Sequence, residues 1–431
     1  MARYCRESNF VFRTINNLPG TGDRAVAIIR YFGNNTDVHI PPVIQNLPVT
    51  RIGDRAFQSG ELTRRIFSEG NQLTSVTIPA GVTHIGQQAF SRNQLTEVII
   101  PDGVTHIGRW AFYSNALSEL RIPDSVTFIG EQAFSRNQLS SISLPDSVTF
   151  IAGWAFAHNQ LTSANIPAGL THIGIGVFQN NQIAGAVIPD GITHTGESTF
   201  ARNSLTNINI PHTITRIGFN AFSLNELTEL IIPEGVTYIG SQAFWRNQLT
   251  TVSIPGSVTR IGHHAFAWNQ LSEISIPQGV TFIGSRSFEH NRLSGITIPD
   301  SVLHIGRGAF SQNQLTFAVI PDGVLYIGGW AFLGNMLTNI TLPAGITTIE
   351  GQAFSGNLLT SVTIPDGVTY IGLDAFQGNR LTSVVIPDSV MTIGHRAFRD
   401  NLLTDVSVPA HTEIHPTAFD PGVTVTRRQQ P

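Results

Sequence analysis

Residues Leu73–Gln94 read LTSVTIPAGVTHIGQQAFSRNQ, and the same cadence returns every 22 residues. Proline stands at position 79 and at each 22nd residue through Pro409, 16 in all without a gap. Asparagine keeps the same clock from Asn93 to Asn401, and phenylalanine from Phe90 to Phe398. A fixed period in this range signals a solenoid or a propeller. Propeller blades need about 40–50 residues for four strands, so one unit here is a single solenoid turn.

Most positions can be given a physical role. Leu73-Thr74-Ser75-Val76-Thr77-Ile78 is apolar at Leu73, Val76 and Ile78 and reads as a short strand with an aliphatic inward row. Pro79 removes the next ladder donor and ends it. Ala80-Gly81, Asp-Gly or Asp-Ser in many copies, turns the chain. Val82-Thr83-His84-Ile85 reads as a second, shorter strand. Gly86 closes it, in a column broken only by Ala152 and Glu350, where the backbone needs either a positive φ or close packing. Gln87–Arg92 reads as one helical or 3₁₀ turn, with Ala89 letting the coil close and Phe90 plugging it. Asn93 stands at the corner, where its amide can satisfy backbone groups of adjacent turns. One unit cannot bury its apolar groups alone, so neighbours stacked at about 4.8 Å must close the core. Parallel strands joined in this way coil right-handedly. The expected fold is a β-rich, right-handed repeat solenoid with a parallel sheet, short second strands, short helical turns and a 22-residue period.

The ends depart from the pattern, as terminal repeats do when they cap a core. Residues 1–56 hold two strand-like runs, Phe10–Arg13 and Arg24–Phe32, joined by LPGTG. The repeat array is assigned to 57–408, about 15–16 units, with 11 extra residues near 61–70. Residues 409–431 form a second cap, ending in the edge strand VTVTRRQQ.

Composition restricts the function. All 25 basic side chains are arginine, against 29 acidic ones, for a formal charge of −4 over 431 residues. That gives no basic footprint for nucleic acid. A single cysteine, Cys5, excludes a disulfide framework. No apolar run approaches the ~18 residues that span a bilayer. The opening MARYCRESNFVFRTI lacks the apolar core of a secretion signal. No G-x-S-x-G, H-E-x-x-H or phosphate-cradling loop is present, so neither catalysis nor a cofactor is expected.

The unit L-T-S-V-T-I-P-x-G-V-T-x-I-G-x-x-A-F-x-x-N-Q resembles the BspA-like, treponemal-type leucine-rich repeat, through Leu73, Val76, Ile78, Pro79, Val82, Ile85, Gly86, Ala89, Phe90 and their copies. The resemblance covers residues 49–409. Many members of that family run 23 residues with a Cys after the Ala-Phe; this chain runs 22 with Asn. The resemblance implies a surface-exposed or secreted protein that adheres to host matrix proteins or other cells. The missing signal leaves a cytoplasmic scaffold as the alternative.

The strongest candidate surface is the variable residue of V-T-x-I-G. Its occupants are His84, His106, Phe128, Phe150, His172, His194, Arg216, Tyr238, Arg260, Phe282, His304, Tyr326, Thr348, Tyr370 and Thr392. A buried column would not admit Arg and His freely, so this row stands exposed. It could dock a protein or stack on sugar rings. Its alternative reading is a ladder of flat rings that support each other across strands. The pairs His84/His106 and His172/His194 lack a third ligand in neighbouring columns, so no metal is expected. A second candidate set is Trp110, Trp154 and Trp330, two residues before Phe, with Trp245 and Trp268 just beyond it. The expected partner is a protein, with a glycan as alternative, and the chain is expected to act as a monomer.

Overall fold

The computed structural model describes residues 7–16, 24–58 and 72–429. LPGTG, the 11-residue insertion, Cys5 and the final Gln430 lie outside them. The chain divides into two compact units, Met1–Thr213 and Ile214–Pro431.

Each unit is a β-solenoid of 22-residue turns. Each turn brings in a Leu, a Val or Ile, an Ile, an Ala and a Phe, almost all sealed from solvent. The Phe plugs stack with their rings nearly parallel. In the first unit they run from Phe57 against Phe90 at 5.0 Å to Phe178 against Phe200 at 5.7 Å. In the second they run from Phe222 against Phe244 at 5.5 Å to Phe398 against Phe419 at 5.4 Å. The amino-terminal segment continues the pile with a different residue, since Tyr31 stacks on Phe57 at 5.5 Å. The strand Phe10–Ile15 runs antiparallel to Ala25–Tyr31, which pairs in parallel with Leu47–Ile52 and so feeds the first turn.

The two strand rows exchange the importance expected of them. The two-residue segments carry the longer ladders. In the first unit His84–Ile85, His106–Ile107, Phe128–Ile129 and Phe150–Ile151 extend the amino-terminal sheet. In the second, Arg216–Ile217 to Tyr326–Ile327 form six strands and Thr348–Ile349 to Glu413–Ile414 form four. The Leu-rich segments pair mainly in twos, as Gly295–Thr297 does with Phe317–Val319.

One interruption falls at the glycine column. At Gly284 a Cβ would lie 2.5 Å from the Gly262 carbonyl carbon and 2.6 Å from the His263 nitrogen. Of the two needs that could select glycine, close approach of successive backbones is therefore the operative one. The six-stranded ladder ends at Ile327, and the next turn carries Glu350 in that column. The methyl of Ala152 is accommodated in this column, its N–H still bonded to the Ile129 carbonyl at 2.9 Å, but the longer glutamate side chain coincides with a break in the ladder.

The segment expected to be a helical or 3₁₀ turn is neither. Ala89 N–H closes a turn on Gly86 and Ser91 N–H closes one on Gln88, while the alternate amides of Gln88, Phe90 and Arg92 donate to Arg109, Ala111 and Tyr113 of the next turn. A helix would consume all these donors within its own coil. Sharing them between coils requires the backbone to alternate, so Gln88 and Arg92 take φ of 56° and 60°. Non-glycine residues repeat this left-handed geometry along both units, against the steric preference of L-residues.

The asparagine corner behaves as its amide chemistry suggests. Asn269 Nδ2 donates to its own turn's Phe266 carbonyl and to Phe244 of the preceding turn, both at 3.0 Å. Its Oδ1 accepts the Leu249 N–H at 3.0 Å. At the carboxyl end, Thr424–Arg428 pairs in parallel with Asp405–Pro409. Arg428 there binds Asp388 at 2.8 Å and the Ser407 carbonyl at 3.2 Å, giving acceptors on the last turns a partner.

Candidate interaction surface

The variable residue of V-T-x-I-G points away from the core because the Ile after it points in, as strand alternation requires. All fifteen occupants are exposed or half-buried. Each therefore reaches solvent, and its neighbour one turn away is fixed by the ladder register.

In the first unit the row begins at Arg51, whose register partner is His84. His84 and His106 stack face to face at 4.8 Å, His106 lies on Phe128 at 5.8 Å, and Phe128 lies on Phe150 at 5.1 Å with rings 1° from parallel. The stack orients both imidazoles, and each Nδ1 meets the hydroxyl of the preceding threonine at 2.8 Å. Burial first, then Arg51 and His106, hold the His84 imidazole below its ordinary pKa. His172 and His194 meet at 5.3 Å but tilted by 53°.

In the second unit cations and rings alternate. The Arg216 guanidinium lies 5.0 Å over Tyr238, and the Arg260 guanidinium lies 4.9 Å over Phe282. His304 and Tyr326 follow at 6.2 Å. Thr348, Tyr370 and Thr392 continue the row in the four-stranded ladder. Burial is the main cause raising the Tyr326 phenol above its usual pKa, with Glu350 adding to it. The ring ladder and the exposed row thus coexist: the rings support each other through their faces and leave an edge in water.

The sequence reading passed over what stands beside this row. The adjacent column is threonine in most turns, but Leu303, Leu325 and Met391 replace it and are exposed. Leu303 and Leu325 flank His304 and Tyr326, so the second unit carries a local apolar patch. The signal was available as a break in an otherwise hydroxylated column.

The five tryptophans occupy a different face, on the double turn. Four of them, Trp110, Trp154, Trp268 and Trp330, are held at positive φ. A bulky side chain there costs on the order of 1–3 kcal/mol, so each needs compensating contacts. Trp154 lies over Gly176 and donates to Gln179 at 3.2 Å. Trp330 donates to Gln352 and carries the Arg307 guanidinium at 3.7 Å and that of Arg286 at 5.3 Å. Trp110 carries Arg109 at 4.2 Å. Trp268 stacks with His290 at 4.0 Å, and Arg246 bridges Trp245 and Trp268 at 4.7 and 5.3 Å. Trp110, Trp154, Trp245 and Trp330 are half-buried by these neighbours, whereas Trp268 stays exposed at 44%. Phe317 uses the same device elsewhere, its ring spread over Gly295.

Shallow cavities of about 350–440 Å³ lie beside the Leu-rich segments, one lined by Glu273, Gln278, Gly295, Thr297 and Phe317. Glu273 belongs to neither flanking strand pair, so that cleft opens where the ladder is interrupted. Among the described residues, no group of three or more His, Cys, Asp and Glu side chains could hold a metal ion, and no helix is long and apolar enough to cross a membrane.

Comparison with known proteins agrees with this geometry. The sequence matches the BspA type leucine rich repeat region family over residues 60–184, 193–316 and 304–423. A comparison with curated proteins gives no significant match. Among solved structures, the chain is similar to a leucine-rich repeat protein from Bacteroides ovatus ATCC 8483, with 21% identity and a TM-score of 0.55 over 97% of this chain and 98% of that one. It is also similar to YopM from Yersinia enterocolitica WA-314, with 19% identity and a TM-score of 0.53 over 87% of this chain and 74% of that one. At such identities the likeness is one of fold. On the strength of its repeats, the chain belongs to the BspA-type leucine-rich repeat family.

Proposed function

We propose that this protein is a non-catalytic interaction module that binds a protein partner through its exposed ring, histidine and arginine row, in the setting of cell-surface adhesion. The observation that carries the reading is the pre-stacked state of the row. Rings already held by neighbours lose little side-chain entropy when a partner covers them, which leaves more of the contact energy for affinity. Repetition of the row along each unit also permits several weak contacts to act together. The apolar patch at Leu303 and Leu325 supplies a desolvated centre of the kind that dominates interface energetics.

The test is a binding screen of immobilised matrix proteins, glycans and whole cells, with wild type and with Tyr238→Ala, Phe282→Ala and Tyr326→Ala combined. Loss of binding in the triple variant, with Trp245→Ala and Trp268→Ala unaffected, is the expected result. Binding that survives all three row changes removes the row from the account.

A further inference from the structure

The row differs between the units in one chemical respect, and it deepens the function proposed above. In the second unit Arg216 and Arg260 are both exposed, and neither forms an ion pair with a described residue. Their contacts are instead with rings, at 5.0 and 4.9 Å. A guanidinium held over a ring and engaged in no ion pair keeps N–H donors available for a carboxylate. From Arg216 to Tyr326 the row contains no Asp or Glu, and neither do the threonine and leucine column on one side or the glycine column on the other. The threonine hydroxyls there are already used: Thr237, Thr259 and Thr281 donate to the carbonyls of Thr215, Thr237 and Thr259 at 3.1–3.4 Å. The glycines offer no side chain that could shield the guanidiniums. His263 adds a third nitrogen-rich group, edge-on to Phe282 at 5.9 Å, its Nδ1 occupied by the Ser285 N–H at 2.8 Å.

From these contacts we infer that Arg216–Tyr238–Arg260–Phe282 is a docking site for an acidic helical segment of a partner protein. Spacing selects the helix. The two arginines stand two turns apart, about 10 Å at ordinary strand separation. Carboxylates seven residues apart on one face of a helix are separated by about 10.5 Å. In an extended chain, same-face neighbours fall at about 6.7 Å and then 13.4 Å, and neither matches. The Tyr238 ring, between the two arginines, would meet the apolar residues between the two acids of an amphipathic helix, and Phe282, one turn beyond Arg260, would meet those past the second acid. The inference rests on the row being the binding face, and it names the partner's chemistry there.

The probe is a fluorescent, helix-stabilised peptide with Glu at positions i and i+7 and Leu between them, with its Gln/Gln counterpart as control. Anisotropy titrations at low and physiological salt should show the Glu peptide binding at least tenfold more tightly than the Gln peptide, with the difference shrinking as salt rises. Arg216→Gln with Arg260→Gln should abolish the difference. Arg216→Lys with Arg260→Lys should recover only part of it, because an ammonium does not stack as a plane. Equal binding of the two peptides, or no effect of the Gln variants, would overturn the inference. So would a sulfated oligosaccharide that binds the arginine pair more tightly than the peptide and displaces it. The parent reading fails separately: a partner whose binding ignores Tyr238→Ala, Phe282→Ala and Tyr326→Ala does not use the row. One that depends on the rings but ignores the arginine changes refutes only the acidic helix.

Discussion

Replacing Asn269 with Ala removes four hydrogen bonds whose fates differ, the longest of them to the Ala267 carbonyl at 3.4 Å, which keeps the Arg246 N–H at 3.0 Å. The Leu249 N–H, accepted by Asn269 Oδ1 at 3.0 Å, is left without a partner in the interior. The two Phe carbonyls are not orphaned. Phe244 O also accepts from Asn247 at 3.2 Å, and Phe266 O also accepts from Asn291 at 3.0 Å. An unsatisfied buried amide costs about 1–3 kcal/mol, and each ordinary bond lost contributes about 1 kcal/mol. The single substitution should therefore cost about 3–5 kcal/mol. Adding Asn247→Ala removes the second donor from Phe244 O, so the pair should cost more than the sum by about 1–3 kcal/mol. Asn247→Ala with Asn291→Ala is the control. Asn247 serves Phe222 and Phe244, whereas Asn291 serves Phe266 and Phe288, so no carbonyl is shared and the costs should add. Urea unfolding followed by tryptophan fluorescence gives the cycle, and hydrogen exchange at the Leu249 amide gives the local effect. Additivity in the adjacent pair, or equal coupling in both pairs, would refute the shared-carbonyl reasoning.

Three further outcomes are expected. Phe266→Ala removes a plug stacked between Phe244 and Phe288 at 5.5 and 5.6 Å and should cost about 3–5 kcal/mol, with hydrogen exchange rising first in adjacent turns; a uniform rise would contradict neighbour-limited stability. Gly284→Ala pushes a Cβ against backbone rather than a flexible side chain, and should destabilise by at least about 1–3 kcal/mol, whereas Gly256→Ala, with nothing within 4 Å of its Cβ, should be tolerated; similar urea midpoints for the two would contradict the close-approach account. Burial is the leading cause that holds the His84, His158 and His264 imidazoles below the ordinary histidine pKa, so the fold favours their neutral form. Their stabilising contribution is complete above that value and is lost as pH falls through the lower folded values. Urea midpoints should fall between pH 7.5 and 5, and a His84→Gln variant should show a smaller fall than wild type.

The part of this protein that was legible in its sequence is the part that repeats. A column that recurs every 22 residues averages away local accident, so the Phe plug, the Asn corner and the aliphatic rows could each be assigned from Leu73–Gln94. The double turn was misread because Gln87–Arg92 contains residues compatible with a helix, and composition does not say whether an amide bonds within its coil or to the next. That choice is made by stacking, which forces Trp110 and Gln88 alike into left-handed geometry. The relative weight of the two strand rows was also hidden, because ladder continuity depends on turn spacing, and one break coincides with a single glutamate at position 350. On the interaction surface, exposure of the row followed from its tolerance of Arg and His. Side-chain partners did not: that Arg216 and Arg260 would lie on rings while Arg396 binds a buried Asp374 at 2.9 Å depends on neighbours one turn away. Pairs 22 residues apart, such as Trp154 with Gly176 and Phe317 with Gly295, are the sequence trace of those contacts.

Histidines stand on both faces, which allows the binding surface to be located in one measurement. Diethylpyrocarbonate modification, read by mass spectrometry with and without a bound partner, should show protection of His84, His106, His172, His194 or His304 on the row. His158, His264 and His290, on the double turn, should react equally in both states. Protection confined to the double-turn histidines would place the partner on the tryptophan face and contradict the account.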